Sequence, residues 1–192
     1  MNLVKSAAFI ALLLPLVWLV CQALTTGLGA NPVEKVIHTT GDWALNILLI
    51  TLSITPLKRI IRWKGLLNLR RMVGLYAFFY ATLHLMSYIG LDQSFSWEAI
   101  MEDVIKHNRI WVGLTAYILL IPLAVTSTNR MVQRLGIRRW KALHNLIYLT
   151  TAGGVIHYLL LVKRDMRRPM VYASILIVLL GYRLVVRRFN QR

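Results

Sequence analysis

The stretch from Trp140 to Val162, WKALHNLIYLTTAGGVIHYLLLV, constrains this chain more than any other. It is apolar, carries no formally charged side chain from Ala142 to Val162, and at ~1.5 Å per residue can cross a hydrocarbon core of ~30 Å. Two histidines, His144 and His157, stand inside it. An ionisable residue within a spanning helix is costly and rare, and so marks a site by default. Neutral imidazole is also a common protein ligand of haem iron. The expectation is a helix that binds haem and is enclosed by its neighbours.

Composition fits that setting. Of the 192 residues, 57% are hydrophobic and only 16% charged, which points to an integral membrane protein. The net charge of +16 would raise the question of nucleic acid in a soluble protein. Here the basic residues sit in short loops between apolar runs and no nucleic-acid motif accompanies them, so they read as membrane anchors. With Cys21 as the single cysteine, neither a disulfide framework nor a Cys-ligated iron–sulfur site can be built within the chain.

The apolar runs predict an all-α integral membrane protein: one domain over residues 1–192, folded as a six-helix transmembrane bundle. The helices are expected at about 6–24, 41–57, 72–91, 110–129, 142–162 and 169–186. The first run is longer than the core of a secretory signal and no small-residue cleavage site follows it closely, so it reads as a retained helix. With both termini cytoplasmic, sixteen of the 23 basic residues fall inside, mainly in the loops holding Lys58 to Arg71 and Arg130 to Lys141. The loop from Asp92 to Arg109 is then outside and carries four acidic residues. The basic hairpin with Lys163, Arg164, Arg167 and Arg168 also falls outside, against the rule. Cations there could face haem propionates or an acidic partner surface.

Depth sorts the histidines. His38 and His107 fall in predicted outer loops, where an exposed imidazole is ordinary. His84 is 13 residues past Arg71 and His157 is 16 past Lys141. Both helices run outward, so the two sit at ~20 Å and ~24 Å from the inner boundary. Imidazoles at that shared level could bind one haem edge-on, nearer the outer surface. His144, three residues past Lys141, lies near the inner surface, too far to share that iron.

Paired histidines on the third and fifth helices resemble the ferric reductase and NADPH oxidase transmembrane domain. Within it the chain is similar to the haem-binding membrane subunits of the periplasmic methionine-sulfoxide reductase system. The likeness is carried by GLGANP at residues 27–32, ITPL at 54–57, LRRMVGL at 69–75, ATLHL at 81–85, TST at 126–128, LHNLIY at 143–148 and IHY at 156–158. It implies that His84 and His157 are the axial ligands of a haem b, and that His144 is a further haem-binding histidine, either for a second haem or as an alternative ligand. Superfamily members with two haems place a second histidine 14 residues before the first on helix three, where this chain has Arg70. FMN is also implied, with no residue here assignable to it.

The same resemblance implies a bacterial inner-membrane electron-transfer subunit rather than a stand-alone enzyme. Electrons would enter from quinol or a cytoplasmic flavin reductase and leave to a periplasmic molybdopterin-dependent methionine-sulfoxide reductase, supporting repair of oxidised proteins. Only six residues follow Val186, so no nicotinamide-oxidising domain is expected there. Two other readings compete: a cytochrome b subunit for another periplasmic partner or a metal reductase, and a non-redox transporter with histidines along its pathway. No internal repeat of the kind that would favour the transporter is visible in the sequence.

Overall fold

The computed structural model describes residues 2–63, 65–162 and 165–189. Lys64, Lys163, Arg164 and Arg192, all counted in the charge argument, lie outside the described residues. Among those described, the secondary structure is helical throughout: α1 Asn2–Leu24, α2 Pro32–Ile61, α3 Leu66–Ser87, α4 Trp97–Lys106, α5 Asn108–Val125, α6 Asn129–His144, α7 Leu146–Leu161 and α8 Arg167–Phe189. A π-helical turn, Tyr88–Asp92, continues α3. Five helices are long and apolar enough to cross a membrane, namely α1, α2, α3 with its π turn, α5 and α8. Helix α7 is equally apolar in character but only 16 residues long.

Several boundaries differ from the sequence expectation, each for a local reason. Helix α2 begins at Pro32 rather than near residue 41, because Asn31 caps it by accepting from the Glu34 N–H at 3.2 Å and Pro32 supplies a preset φ at the first position. His38, expected in an outer loop, therefore lies on α2. The outer loop contains α4, capped by Ser96, which accepts from the Ala99 N–H. The inner basic loop is itself helical as α6, bent at Gly136 where φ is 73°. The expected helix at 142–162 is divided at Asn145, so His144 closes α6 and His157 belongs to α7.

Two helix pairs form the centre, α2 with α3 and α5 with α7, and these pairs pack most extensively. Contacts of α3 with α5 and of α2 with α7 join them around a core that includes Ile47, Leu52, Ala77, Tyr80, Leu120 and Val155. Helix α2 is central, and half of its apolar window is buried inside the bundle. Helix α1 lies outside and turns Phe9, Ile10, Leu14 and Trp18 outward, as a lipid-facing helix does. Its attachment is polar: the Tyr80 hydroxyl donates to the Leu12 carbonyl at 2.8 Å and accepts from the Leu16 N–H at 3.2 Å. That hydroxyl thus sits inside the α1 ladder beside Pro15 and completes a backbone pair that the bend opens.

Helix α8 is fastened by a related device. Pro56 has no N–H, which leaves the Leu52 carbonyl without its ladder partner. The Arg183 guanidinium donates to that carbonyl at 2.9 Å and also to the Tyr148 hydroxyl, while its plane lies 4.7 Å over the Tyr148 ring. One cation thereby ties α2, α7 and α8 together through a carbonyl, a hydroxyl and a π face.

Candidate haem site

His84 projects from α3 and His157 from α7 into one space between the two central pairs. Their ring centroids are 6.1 Å apart and the planes cross at 76°. Each δ nitrogen faces a backbone carbonyl: His84 Nδ1 lies 2.9 Å from Ile37 O on α2, and His157 Nδ1 lies 2.7 Å from Arg109 O on α5. A carbonyl only accepts, so the hydrogen sits on Nδ1 and each Nε2 presents a lone pair. Such a δ-nitrogen bond is the usual support of a metal-ligating imidazole.

The surrounding cavity has a volume of about 480 Å³ and an almost wholly apolar wall, built from α2, α3, α4, α5 and α7. Buried Leu48, Leu120 and Thr150 line its closed side, and exposed Trp97, Met101 and Trp111 border its mouth. This arrangement fits an iron porphyrin. Two iron–imidazole bonds of about 2 Å each would bridge the facing rings, and an apolar slot receives the macrocycle. Among the described residues no group of three or more His, Cys, Asp or Glu could close the shell of a bare ion. Two protein ligands suffice when a macrocycle supplies the other four.

The sequence brought His84 and His157 to one level, and the fold brings their rings within 6.1 Å of each other in crossed planes. His144 is elsewhere. Its Nε2 lies 3.0 Å from the Thr126 hydroxyl and its ring stacks on Trp140 with centroids 4.0 Å apart. It does not line the cavity. Arg71 reaches over the same Trp140 ring at 6.0 Å and donates to Asn129 at 2.5 Å. Arg70, the position at which the resemblance leads one to look for a second histidine, is close enough for its charge to act on His144.

Sequence reasoning missed three residues of the cavity wall, His38, Asp42 and Tyr88. His38 and Asp42 line the cavity near its mouth, and a longer α2 could have been read from the Asn31–Pro32 cap. Tyr88, one turn past His84, also lines it and donates to Asp103 Oδ2 at 2.8 Å. The other Asp103 oxygen lies 2.6 Å from His107 Nδ1, which sets His107 against a carboxylate at the head of α5 rather than in an open loop. Arg168 lies beside Asp42 and Tyr158, two lining residues, which places at least one cation of the basic hairpin at this mouth.

Residues 37–155 match the family of ferric reductase like transmembrane components. Over 181 residues, covering 94% of this chain and 87% of the relative, the sequence is 52% identical to the protein-methionine-sulfoxide reductase heme-binding subunit MsrQ of Rhodospirillum rubrum. The chain belongs to the MsrQ family. Proteins of the same name from Herminiimonas arsenicoxydans and Caulobacter vibrioides are 48% and 44% identical, covering 94% and 95% of this chain and 84% and 87% of their own lengths. No solved structure matches. The family match begins at Ile37, the residue whose carbonyl supports His84, so the segment common to ferric reductase-like proteins takes in most of the cavity wall.

Proposed function

We propose that this chain is the haem b subunit of a membrane electron-transfer pair that serves a periplasmic methionine-sulfoxide reductase. The observation that carries it is the facing of two carbonyl-supported imidazoles, 6.1 Å apart, across an apolar cavity. The MsrQ relatives are heme-binding subunits of a protein-methionine-sulfoxide reductase, and this supplies the partner system. Bound haem supplies a one-electron carrier. The protein's share is to hold the iron through His84 and His157, fix their tautomer through Ile37 and Arg109, and keep water from the slot.

In this reading α7 is the sixth span, both termini are cytoplasmic, and the protein resides in the bacterial inner membrane. The cavity mouth then faces the periplasm, where a molybdopterin-dependent catalytic subunit would accept electrons. The surface around the mouth suits docking. Helix α4 shows Glu98 and Glu102 to solvent, and the Lys106 ammonium bonded to Glu102 holds that carboxyl below its ordinary range. Exposed Trp97 and Phe95 border this acidic face. Quinol, or a cytoplasmic flavin reductase using FMN, would supply the electrons. His144 is assigned no iron, because its ε nitrogen is engaged by Thr126.

The test is an absorption spectrum of purified protein before and after dithionite, with His84→Ala and His157→Ala alongside. The expected result is a red wild type with a Soret band that both substitutions abolish. A colourless wild type, or a double variant that keeps the reduced spectrum and still supports sulfoxide repair, ends the proposal. Reporter fusions at the two termini test the sidedness, and charge reversal at Lys163, Arg164, Arg167 and Arg168 tests the basic hairpin through partner turnover.

A further inference from the structure

The two facing imidazoles are presented by two copies of one local arrangement. On α2 the Ile37 carbonyl accepts from His84, and Gly41 follows one helical turn later. On α5 the Arg109 carbonyl accepts from His157, and Gly113 follows one turn later. The register continues inward, with Ala44 and Leu48 after Gly41 at the spacing of Ala116 and Leu120 after Gly113. All of these line the cavity. The ligand-bearing helices agree, since Ala81 precedes His84 on α3 as Gly154 precedes His157 on α7, both in the cavity wall. The central pairs α2–α3 and α5–α7 are thus related by a quasi-repeat that side-chain identity alone conceals.

The glycines are the surfaces on which the rings rest. A Cβ at Gly41 would stand 3.0 Å from Cε1 and Nδ1 of His84, and one at Gly113 would stand 2.8 Å from the same atoms of His157. At Gly113 a methyl group forces the His157 ring away from the carbonyl that holds it, and at Gly41 the His84 ring must give by a few tenths of an ångström. Ring and shelf are matched twice, and the two shelves set the planes 76° apart.

We propose that Gly41 and Gly113 are positioning residues of a duplicated clamp, which holds the two haem-ligating imidazoles in crossed planes. The proposal rests on the haem reading above. Crossed axial planes leave two iron orbitals nearly equal in energy, and the ferric low-spin centre then gives a strongly anisotropic paramagnetic-resonance signal. Coplanar planes give a rhombic one. A role confined to helix packing would leave that signal where it was.

The experiment uses the purified full chain with its haem, recording haem per polypeptide, the ferric resonance spectrum and the midpoint potential. The wild type is expected to show the strongly anisotropic signal. Gly113→Ala and Gly41→Ala are expected to lower haem occupancy by roughly tenfold, as loss of a ligand's outer support does, with the larger loss at Gly113. Haem that remains should give a less anisotropic signal and a shifted potential. Gly74→Ala is the control: it lies on α3 against α2, but its added carbon would find its nearest neighbour, Thr51 Cγ2, at 3.8 Å, so all three readouts should stay at wild-type values. A rhombic wild-type signal overturns the clamp, and this measurement decides the matter even where the alanine variants fail to accumulate. Wild-type occupancy and signal in both alanine variants overturn it equally. A colourless wild type defeats the haem reading itself, whereas a red wild type with unmoved variants defeats only the clamp.

Discussion

The two ends of the bundle, outer and inner in the proposed orientation, both carry histidine, yet they are built for different work. At the outer end His84 and His157 face each other across an apolar space, each with its δ nitrogen occupied and, among the described residues, no hydrogen-bond partner at its ε nitrogen. At the inner end His144 has its ε nitrogen against Thr126, its face on Trp140, and Arg71 on the same indole. No second imidazole opposes it. The difference teaches what to look for in a histidine within an apolar run: a facing partner and an empty volume suit the proposed ligand role, whereas a hydrogen bond and a stacked ring, as at His144, suit a staple between helices.

The largest test of that contrast is ligand removal. His84→Ala or His157→Ala should reduce bound haem by more than about tenfold, while His144→Ala should leave most of it in place, measured as haem per polypeptide. Equal loss in all three would erase the distinction between the ends. The next effect concerns the staples. Arg183→Leu leaves the Leu52 carbonyl and the Tyr148 hydroxyl without their partner, and should cost about 1–3 kcal/mol in the thermal stability of the solubilised protein. In a Pro56→Ala background the ladder N–H returns to Leu52, so the same substitution should cost less. A full cost in that background would show that the Tyr148 contact carries the effect.

Thr126→Val should be milder, about 0.5–1.5 kcal/mol, because it removes the hydroxyl's bonds to His144 and to the Pro122 carbonyl, and that carbonyl still accepts from the Thr126 N–H. Haem content should not change, and a coloured but haem-depleted protein would tie the inner staple to the outer site. The smallest expected effect is electrostatic. Glu98→Gln with Glu102→Gln should slow association with the catalytic subunit by less than about tenfold at low ionic strength, fading as salt is added, in stopped-flow mixing. An effect that persists at high salt would indicate a direct contact instead.

Much of the site was legible in the chain, and the illegible part has a common cause. His84 and His157 could be paired from distances to basic boundaries, because helical rise is nearly constant and Lys and Arg mark the membrane face. Helix α4 could have been found from the spacing of Trp97, Ile100, Met101, Val104 and Ile105, an apolar stripe of helical period inside a stretch taken as loop. The early start of α2, and with it the place of His38 in the cavity wall, was written in Asn31 and Pro32. The support of the imidazoles was not written anywhere, since Ile37 and Arg109 act through main-chain oxygens that every residue possesses.

Sequence by itself determined a helical membrane chain, its family, and two imidazoles at one depth, since these follow from hydropathy, composition and a fixed rise per residue. Tertiary structure alone decided which nitrogens are free, which glycines lie under which rings, and that Arg183 answers the carbonyl Pro56 leaves open. Those pairings join residues far apart in the chain through groups with no side-chain signature. Only packing one helix against another brings a carbonyl, a hydrogen atom's width of space and a ring into the same place.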